Sequence, residues 1–113
     1  MEKQFGSGVI FVIEHDAIQE DKSVKYPKEV NQLISMGYHY CGNNKMWGEA
    51  NAWKEMRQTG KGSLLFGMRF ETVNEDMADI EIWEKVTYIS VQKKNEEKIQ
   101  KVLQKAPKYK FGN

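Results

Sequence analysis

The sequence predicts a single α+β domain over residues 1–113, in which about three helices pack on a mixed or mostly antiparallel sheet of three to four strands. Three observations lead to this prediction. A chain of 113 residues suits one domain. Sixteen Val and Ile residues against four Leu, with thirteen aromatic residues, favour pleated strands. The spacing of apolar residues also changes along the chain between a period of two and a helical period.

The first elements are a buried strand and a helix. Residues 9–13 are five consecutive β-branched or aromatic residues, which is typical of a strand covered on both faces. Residues 14–25 are polar and predict a loop. Pro27 suits the first turn of a helix, Val30 and Leu33 begin its apolar stripe, and Gly37 is the predicted stop.

The middle of the chain predicts a short strand, a helix and a longer strand. Residues 38–41 form the short strand and residues 64–70 alternate in the manner of a half-buried one. Between them, residues 45–58 have a helical apolar stripe that includes Trp53 and ends at Arg57. Arg57 is predicted to cover the edge of the core, to pair with a buried carboxylate or to bind an anion. Trp47 lies about 100° away from this stripe and is a candidate exposed contact.

The last third predicts a turn, a long strand and a helix. After polar residues 71–76, alternation begins at Ala78 and becomes ambiguous in phase past Trp83, which predicts either a bulge near Glu84 and Lys85 or a strand that is covered on both faces by its end. From Asn95 the period is helical up to Pro107. The apolar face of this helix consists of Ile99, Val102, Leu103 and Ala106.

Composition excludes several classes of protein. The formal net charge of +1 excludes a histone-like polycation, and a single cysteine excludes an intramolecular disulfide. No stretch approaches the roughly 18 apolar residues of a spanning helix, so we expect a cytoplasmic protein without membrane contact. No motif identifies a known family.

Sites for phosphate, metal or nucleophilic chemistry are weakly indicated. The glycines of residues 6–8 and 59–63 depart from phosphate-loop spacing. The only His and Cys residues are His15, His39 and Cys41, which form one close ligand pair at most. We therefore predict no metal and no cofactor. A small enzyme that uses these three side chains remains the third functional hypothesis.

The most specific feature is the placement of charge. Residues 93–113 carry seven lysines and two glutamates, a net of +5, so the other 92 residues carry −4. One lysine stripe is predicted on the last helix, and a basic tail with interleaved aromatic residues follows it. The stripe and tail comprise Lys94, Lys98, Lys101, Lys105, Lys108, Tyr109, Lys110 and Phe111. The predicted acidic counterpart is the hairpin that contains Glu71, Glu75, Asp76, Asp79, Glu81 and Glu84.

Three interpretations of these charges are open. They can be a solvated face or an intramolecular complement, a surface for a protein partner, or a nucleic-acid surface. The leading prediction is a small non-catalytic binding or regulatory protein that acts on a protein partner, such as an accessory or inhibitor protein of a mobile element. Nucleic-acid binding is the alternative, and opposed charges also allow a homodimer. The predicted contact residues are Trp47, Arg57, Glu75, Asp76, Asp79 and Glu81 together with the lysine stripe and the tail.

Overall fold

The computed structural model of the protein describes residues 7–16, 26–43 and 64–111. The elements are β1 (Gly8–Glu14), α1 (Lys28–Ser35), β2 (His39–Asn43), β3 (Leu64–Glu71), β4 (Met77–Trp83), β5 (Val86–Gln92), a 3-10 turn (Lys93–Asn95), α2 (Glu96–Val102) and β6 (Lys108–Phe111). The predicted α+β class is confirmed. The predicted helix over 45–58 lies outside the described residues.

The described strands form one antiparallel sheet of six strands in the order β2-β3-β4-β5-β1-β6. The predicted count of three to four strands is therefore too low. About three helices were predicted, and the described part of the chain contains two α-helices. The sheet places β1 between β5 and β6, so the N-terminal strand lies beside the C-terminal one.

The predicted bulge at residues 84–85 is a chain reversal. β4 ends at Trp83, and β5 begins at Val86 and pairs antiparallel with it, with Ile82 opposite Thr87. A reversal over two residues shifts the phase of the alternation just as a bulge does. Neither Glu84 nor Lys85 is a typical residue of a two-residue hairpin turn, so the sequence carried no turn signal there.

The C-terminal helix is shorter than predicted. α2 ends at Val102, with Leu103 at φ −103° and ψ 52°, so Lys105 and Ala106 lie in the connection to β6. Residues 108–111 are not a tail but a strand, paired with Gly8–Phe11. The bond from the Val12 amide to the Pro107 carbonyl (2.9 Å) continues this pairing by one residue.

Both helices pack on one face of the sheet. Val30 and Leu33 of α1 and Ile99 of α2 belong to the same core cluster as Phe11 and Ile80. Gly37 stops α1 as predicted: its φ of +103° suits glycine, and the following amide of Tyr38 donates back to the Leu33 carbonyl. None of the described helices is long and apolar enough to cross a membrane.

The opposite face of the sheet is also largely buried, and it combines polar and charged side chains with apolar ones. Ile10, Ser90 and Glu81 on this face are at most 1% exposed, and Asp79 is 3% exposed. The cross-strand register places Ile10, Ser90, Asp79 and Arg69 in one row across β1, β5, β4 and β3. The apolar alternation of β4 therefore predicts its helix-bearing face correctly but does not predict that its other face is buried.

Candidate partner-binding site

Two of the predicted acidic contacts are not at the surface. Asp79 receives two hydrogen bonds from Arg69, from Nε to Oδ1 at 2.6 Å and from Nη2 to Oδ2 at 2.8 Å. Glu81 is fully buried and accepts the indole N–H of Trp83 at 2.7 Å. The prediction that Asp79 and Glu81 lie on an exposed acidic surface is therefore wrong, because the polar face of β4 is buried.

Arg69 is the residue that sequence reasoning missed. It lies directly opposite Asp79 in the β3–β4 register, and its side chain is only 10% exposed. A two-bond guanidinium–carboxylate pair fixes the geometry of both partners. Its signal in the sequence was an arginine inside the otherwise apolar run of residues 64–70, because a buried cation needs a buried partner.

Asp76 joins the acidic segment to the basic one. Its carboxylate contacts Lys94 Nζ at 3.4 Å and Lys98 Nζ at 3.5 Å, and it accepts Asn95 Nδ2 at 3.4 Å. Burial alone would raise the pKa of Asp76, but the Asn95 hydrogen bond and the two lysine charges outweigh burial and lower it. For these residues, the charges complement one another within the chain.

A strained turn presents Asp76 to α2. The Thr72 hydroxyl accepts the amide of Asp76 at 3.1 Å, and the Thr72 amide donates to the Asp76 carbonyl at 2.9 Å. Glu75 has a φ of +64°, in the left-handed region, and its side chain is exposed. The turn therefore directs Asp76 toward the lysines and Glu75 toward solvent.

Lys98 also covers Tyr38. Its ammonium nitrogen lies 5.6 Å from the centre of the Tyr38 ring, within the range of a cation–π contact. The Tyr38 hydroxyl is buried and has no hydrogen-bond partner among the described residues. Burial, and next the Asp76 charge, raise the pKa of Tyr38 to about 12. Lys98 thus makes two contacts within the chain, one with the Asp76 carboxylate and one with the Tyr38 ring.

Lys108 is paired as well. Its Nζ donates to Glu96 Oε2 at 2.6 Å and to Gln100 Oε1. The hydrogen bond from Lys108 is the main cause that lowers the pKa of Glu96, and the charges of Lys108 and Lys110 add to it. Lys101, Lys105 and Lys110 are exposed and have no ion pair within the described ranges.

β6 separates the tail's lysines from Tyr109. Successive side chains of a strand point to opposite faces, so Lys108 and Lys110 share the helix-bearing face and Tyr109 lies on the other. Tyr109 pairs with Ile10 and is 51% exposed. Phe111 holds the register position opposite Gly8. The predicted surface of lysines interleaved with aromatic rings does not form at residues 108–110.

A cleft of about 590 Å³ lies at the end of β1. It is bounded by β1, by the first turns of α1, by the segment that connects α2 to β6 and by Tyr109 of β6. The lining residues are Val12, Ile13, Glu14, Lys28, Glu29, Gln32, Val102, Leu103, Gln104, Lys105, Ala106, Pro107 and Tyr109. Polar and apolar groups line the cleft in about equal shares, and its charged side chains comprise two lysines and two glutamates. A cleft of this volume falls within the size range of ligand-recognition sites.

The His and Cys residues do not form one site. His15 follows β1, and its Nε2 lies 2.9 Å from the Thr87 hydroxyl. His39 and Cys41 lie on β2, which is separated from β1 by four strand spacings, roughly 19 Å. Partial burial of the thiol and the Glu71 charge raise the pKa of Cys41, against the opposing effect of Arg69. No cluster of potential metal ligands occurs among the described residues.

Two predicted contacts, Trp47 and Arg57, lie outside the described residues. Comparisons of the chain with protein-family models, with curated proteins and with solved structures found no match. Any functional assignment therefore has to be argued from the chain's own residues.

Proposed function

We propose that this chain is a small non-catalytic binding protein, regulatory in role, that acts on a protein partner through the cleft at the end of β1. The observation that carries the proposal is the position of Lys105 and Tyr109. These are two of the predicted contact residues, both are exposed, and both line the same cleft. Tyrosine is enriched among the residues that dominate protein interfaces.

The charge of the cleft supports a protein over a nucleic acid. Lys28 and Lys105 are balanced by Glu14 and Glu29, whereas a phosphate backbone needs an excess of cations. Lys94, Lys98 and Lys108 are already paired with carboxylates of the chain. The separation of Tyr109 from its neighbouring lysines also argues against stacking of a single strand on a basic surface.

The separation of the His and Cys residues supports a binding role over catalysis. A cysteine nucleophile needs a base within hydrogen-bond reach and a lowered thiol pKa. Cys41 has a raised pKa, and its thiol lies 3.2 Å from the Arg69 carbonyl as a hydrogen-bond donor. His15 bonds instead to Thr87 and Asp16.

Affinity capture from the native cell tests the proposal. The tagged full chain is compared with the double variant Lys105→Ala/Tyr109→Ala, and with Val73→Ala/Asn74→Ala as the matched control at the exposed β3–β4 turn. Retained material is identified by mass spectrometry and by nucleic-acid sequencing, and thermal unfolding verifies that each variant is folded.

We expect a protein that the wild type and the control retain equally and that the cleft variant retains about tenfold less, as for loss of an interface hot spot. Retention of the same proteins by all three chains contradicts the proposal. Retention of nucleic acid that depends on Lys105 and Tyr109 favours the alternative function.

A further inference from the structure

β6 is the outermost strand at one end of the described sheet. It pairs with β1 on one side, from Gly8 opposite Phe111 to Phe11 opposite Lys108, and the order β2-β3-β4-β5-β1-β6 places no described strand on its other side. An edge strand carries a row of backbone N–H and C=O groups with which another chain can pair. The free edge of β6 is therefore a candidate surface for a protein partner.

The backbone directions show which residues of β6 face this free edge. The Val12 amide donates to the Pro107 carbonyl at 2.9 Å, so these two residues form a hydrogen-bonded pair. Such pairs alternate along an antiparallel ladder with pairs that direct their backbone groups away from each other. Tyr109 therefore bonds to β1, whereas Lys108 and Lys110 direct their N–H and C=O groups outward. No turn, loop or cap hydrogen bond among the described residues uses the backbone of either lysine.

The side chains of these two lysines disfavour a second copy of the chain as the occupant of this edge. Lys108 and Lys110 lie on the helix-bearing face, opposite Phe11 and Val9. If two copies paired through the outward groups of β6, every register within the strand would put a lysine opposite a lysine. Like charges directly opposite each other destabilise a strand pair, and lysine on an edge strand is a common protection against self-association.

The same lysines suit an acidic partner. The Lys108 hydrogen bond, at 2.6 Å, is the main cause that lowers the pKa of Glu96, and the charges of Lys108, Lys110 and Lys93 add to it and outweigh burial. Three ammonium groups thus act on a single carboxylate, and Lys110 is exposed. An acidic side chain that lies opposite Lys110 on an added strand would balance this excess of positive charge.

We infer that the protein partner binds by adding an extended segment, with acidic residues at alternate positions, to the free edge of β6. Its backbone pairs with the outward N–H and C=O groups of Lys108 and Lys110, and its acidic side chains lie beside these lysines. The residue between them lies beside Tyr109 on the other face. Strand addition to a sheet edge is a known mode of peptide recognition, in which backbone bonds give affinity and alternate side chains give specificity. This inference rests on the proposed function and specifies how the partner is recognised.

Tyr109 connects this edge to the cleft. Its ring is 51% exposed and lines the cleft together with Lys105, and its position between the two outward lysines places it beside the middle of an added strand. β6 is already ordered by its pairing with β1 and by the Lys108–Glu96 ion pair, so little further ordering is required of this chain. A segment on this edge therefore contacts one of the two residues on which the proposed function rests.

Selection from a displayed library of random linear peptides, against the full chain, tests the inference. We expect the selected peptides to carry acidic residues at alternate positions. In isotope-labelled protein, they should shift the amide resonances of Lys108 and Lys110 but not that of Val73. N-methylation of each peptide amide in turn should lower affinity about tenfold or more at amides that face β6, and much less at their neighbours, because only those amides donate to the strand.

A charge reversal tests the acidic character of the partner. Lys110→Glu should weaken binding of the selected peptide about fivefold or more, and a peptide with lysine in place of the acidic residue opposite position 110 should regain the affinity. Lys85→Glu makes the same change of charge at the exposed turn between β4 and β5. We expect this control to change binding by less than about twofold.

A matched pair at one position tests the backbone contact. Lys110→Gln and Lys110→Pro both remove the charge, but only proline also removes the outward N–H, and proline is tolerated on the open side of an edge strand. We expect Lys110→Pro to bind the peptide about tenfold more weakly than Lys110→Gln. Thermal unfolding verifies that both variants are folded, and if Lys110→Pro is not, the N-methylation pattern decides.

Three outcomes overturn the inference. The selection yields no peptide that shifts Lys108 and Lys110, N-methylation has no alternating pattern, or the peptides bind Lys110→Glu and Lys85→Glu equally well. The capture experiment separates these failures from a failure of the proposed function. A protein that Lys105→Ala/Tyr109→Ala loses and Lys110→Glu retains leaves the proposed function standing, whereas capture of no protein by any of the chains removes it.

Discussion

The acidic segment 71–84 and the basic segment 93–110 have opposite net charges in the sequence, and they differ in how many of their charged side chains the fold buries or pairs. In the acidic segment, Asp79 and Glu81 are buried and Asp76 is bound by two lysines. In the basic segment, Lys101, Lys105 and Lys110 stay exposed. The comparison teaches that a formal charge in the sequence becomes a binding determinant only where the fold leaves it at the surface.

The physical reason is the element on which each charge lies. The carboxylates of β4 lie on a central strand whose two faces are both buried, so they require partners inside the protein. Lys101 lies on α2, which buries only one stripe, Lys105 lies in the connection to β6, and Lys110 lies on β6 at the edge of the described sheet. Their long side chains carry the charge into solvent. The buried carboxylates of the acidic segment therefore belong to the folded core, whereas Lys101, Lys105 and Lys110 of the basic segment remain accessible to solvent.

The largest expected effect is at the buried pair. Asp79→Asn removes the buried carboxylate that accepts two hydrogen bonds from Arg69, and we expect a loss of about 3–5 kcal/mol in the free energy of unfolding, measured by urea denaturation. The exposed control Glu75→Gln should change stability by less than about 0.5 kcal/mol. Equal effects of the two substitutions would contradict the structural role of Asp79.

A double substitution sharpens this prediction. Arg69→Met with Asp79→Leu removes both charges, and apolar side chains of similar size can replace a buried ion pair with little loss. We expect the double variant to be more stable than Asp79→Asn. A double variant as unstable as the single one would show that the loss arises from packing and not from an unpaired charge.

A smaller effect is expected at Asp76. Asp76→Asn should cost about 1 kcal/mol at neutral pH, as for a partly exposed ion pair. Because the folded pKa of Asp76 is lowered, its contribution is present above the unfolded pKa of about 3.9 and is lost as the pH falls through the folded value. The difference in stability between wild type and variant should therefore shrink in acid. A difference that is independent of pH would contradict the ionic role.

Tyr38→Phe should have a still smaller effect at neutral pH. It removes a buried hydroxyl that has no hydrogen-bond partner in the described part of the chain, so we expect a change within about 0.5 kcal/mol or a slight gain. The folded pKa of Tyr38 is about 12, above the ordinary value of 10.0. Its contribution is thus complete below pH 10 and is lost as the pH rises toward 12. Over this pH range, wild type should lose more stability than the variant. Chemical denaturation of both proteins at each pH measures the difference.

The smallest effect on stability is expected in the basic segment. Lys101→Gln and Lys110→Gln should each change the free energy of unfolding by less than about 0.5 kcal/mol, because neither lysine has an ion pair among the described residues. Lys94→Gln, at the Asp76 contact, should cost slightly more. A large loss of stability in Lys101→Gln would show that Lys101 also makes contacts that stabilise the fold.

Local patterns predicted much of this fold. The buried strand at residues 9–13, the helix between Pro27 and Gly37 and the strand at 64–70 all correspond to observed elements, because each is defined by neighbouring residues. The reversal at Glu84 and Lys85 was missed because those residues do not have typical turn chemistry. The strand at 108–111 was missed because its partner, β1, lies at the other end of the chain.

The candidate site was less predictable than the fold. Lys105 and Tyr109 were predicted as contacts from charge and aromatic content alone, but Lys105 lies beyond the end of the helix predicted to carry it and Tyr109 lies on a strand where a tail was predicted. The cleft depends on how far β6 extends along β1 and on the position of Pro107. These are consequences of long-range pairing, as is the register that places Arg69 opposite Asp79.

Site-specific photo-crosslinking in the native cell tests the central claim most directly. A photoreactive residue is placed at position 105, in the cleft, or at position 75, on the exposed acidic turn, and adducts of the full chain are identified by mass spectrometry. We predict a protein adduct at position 105 and none at position 75. An adduct with the same partner at position 75 alone, or nucleic acid at position 105, would contradict the account.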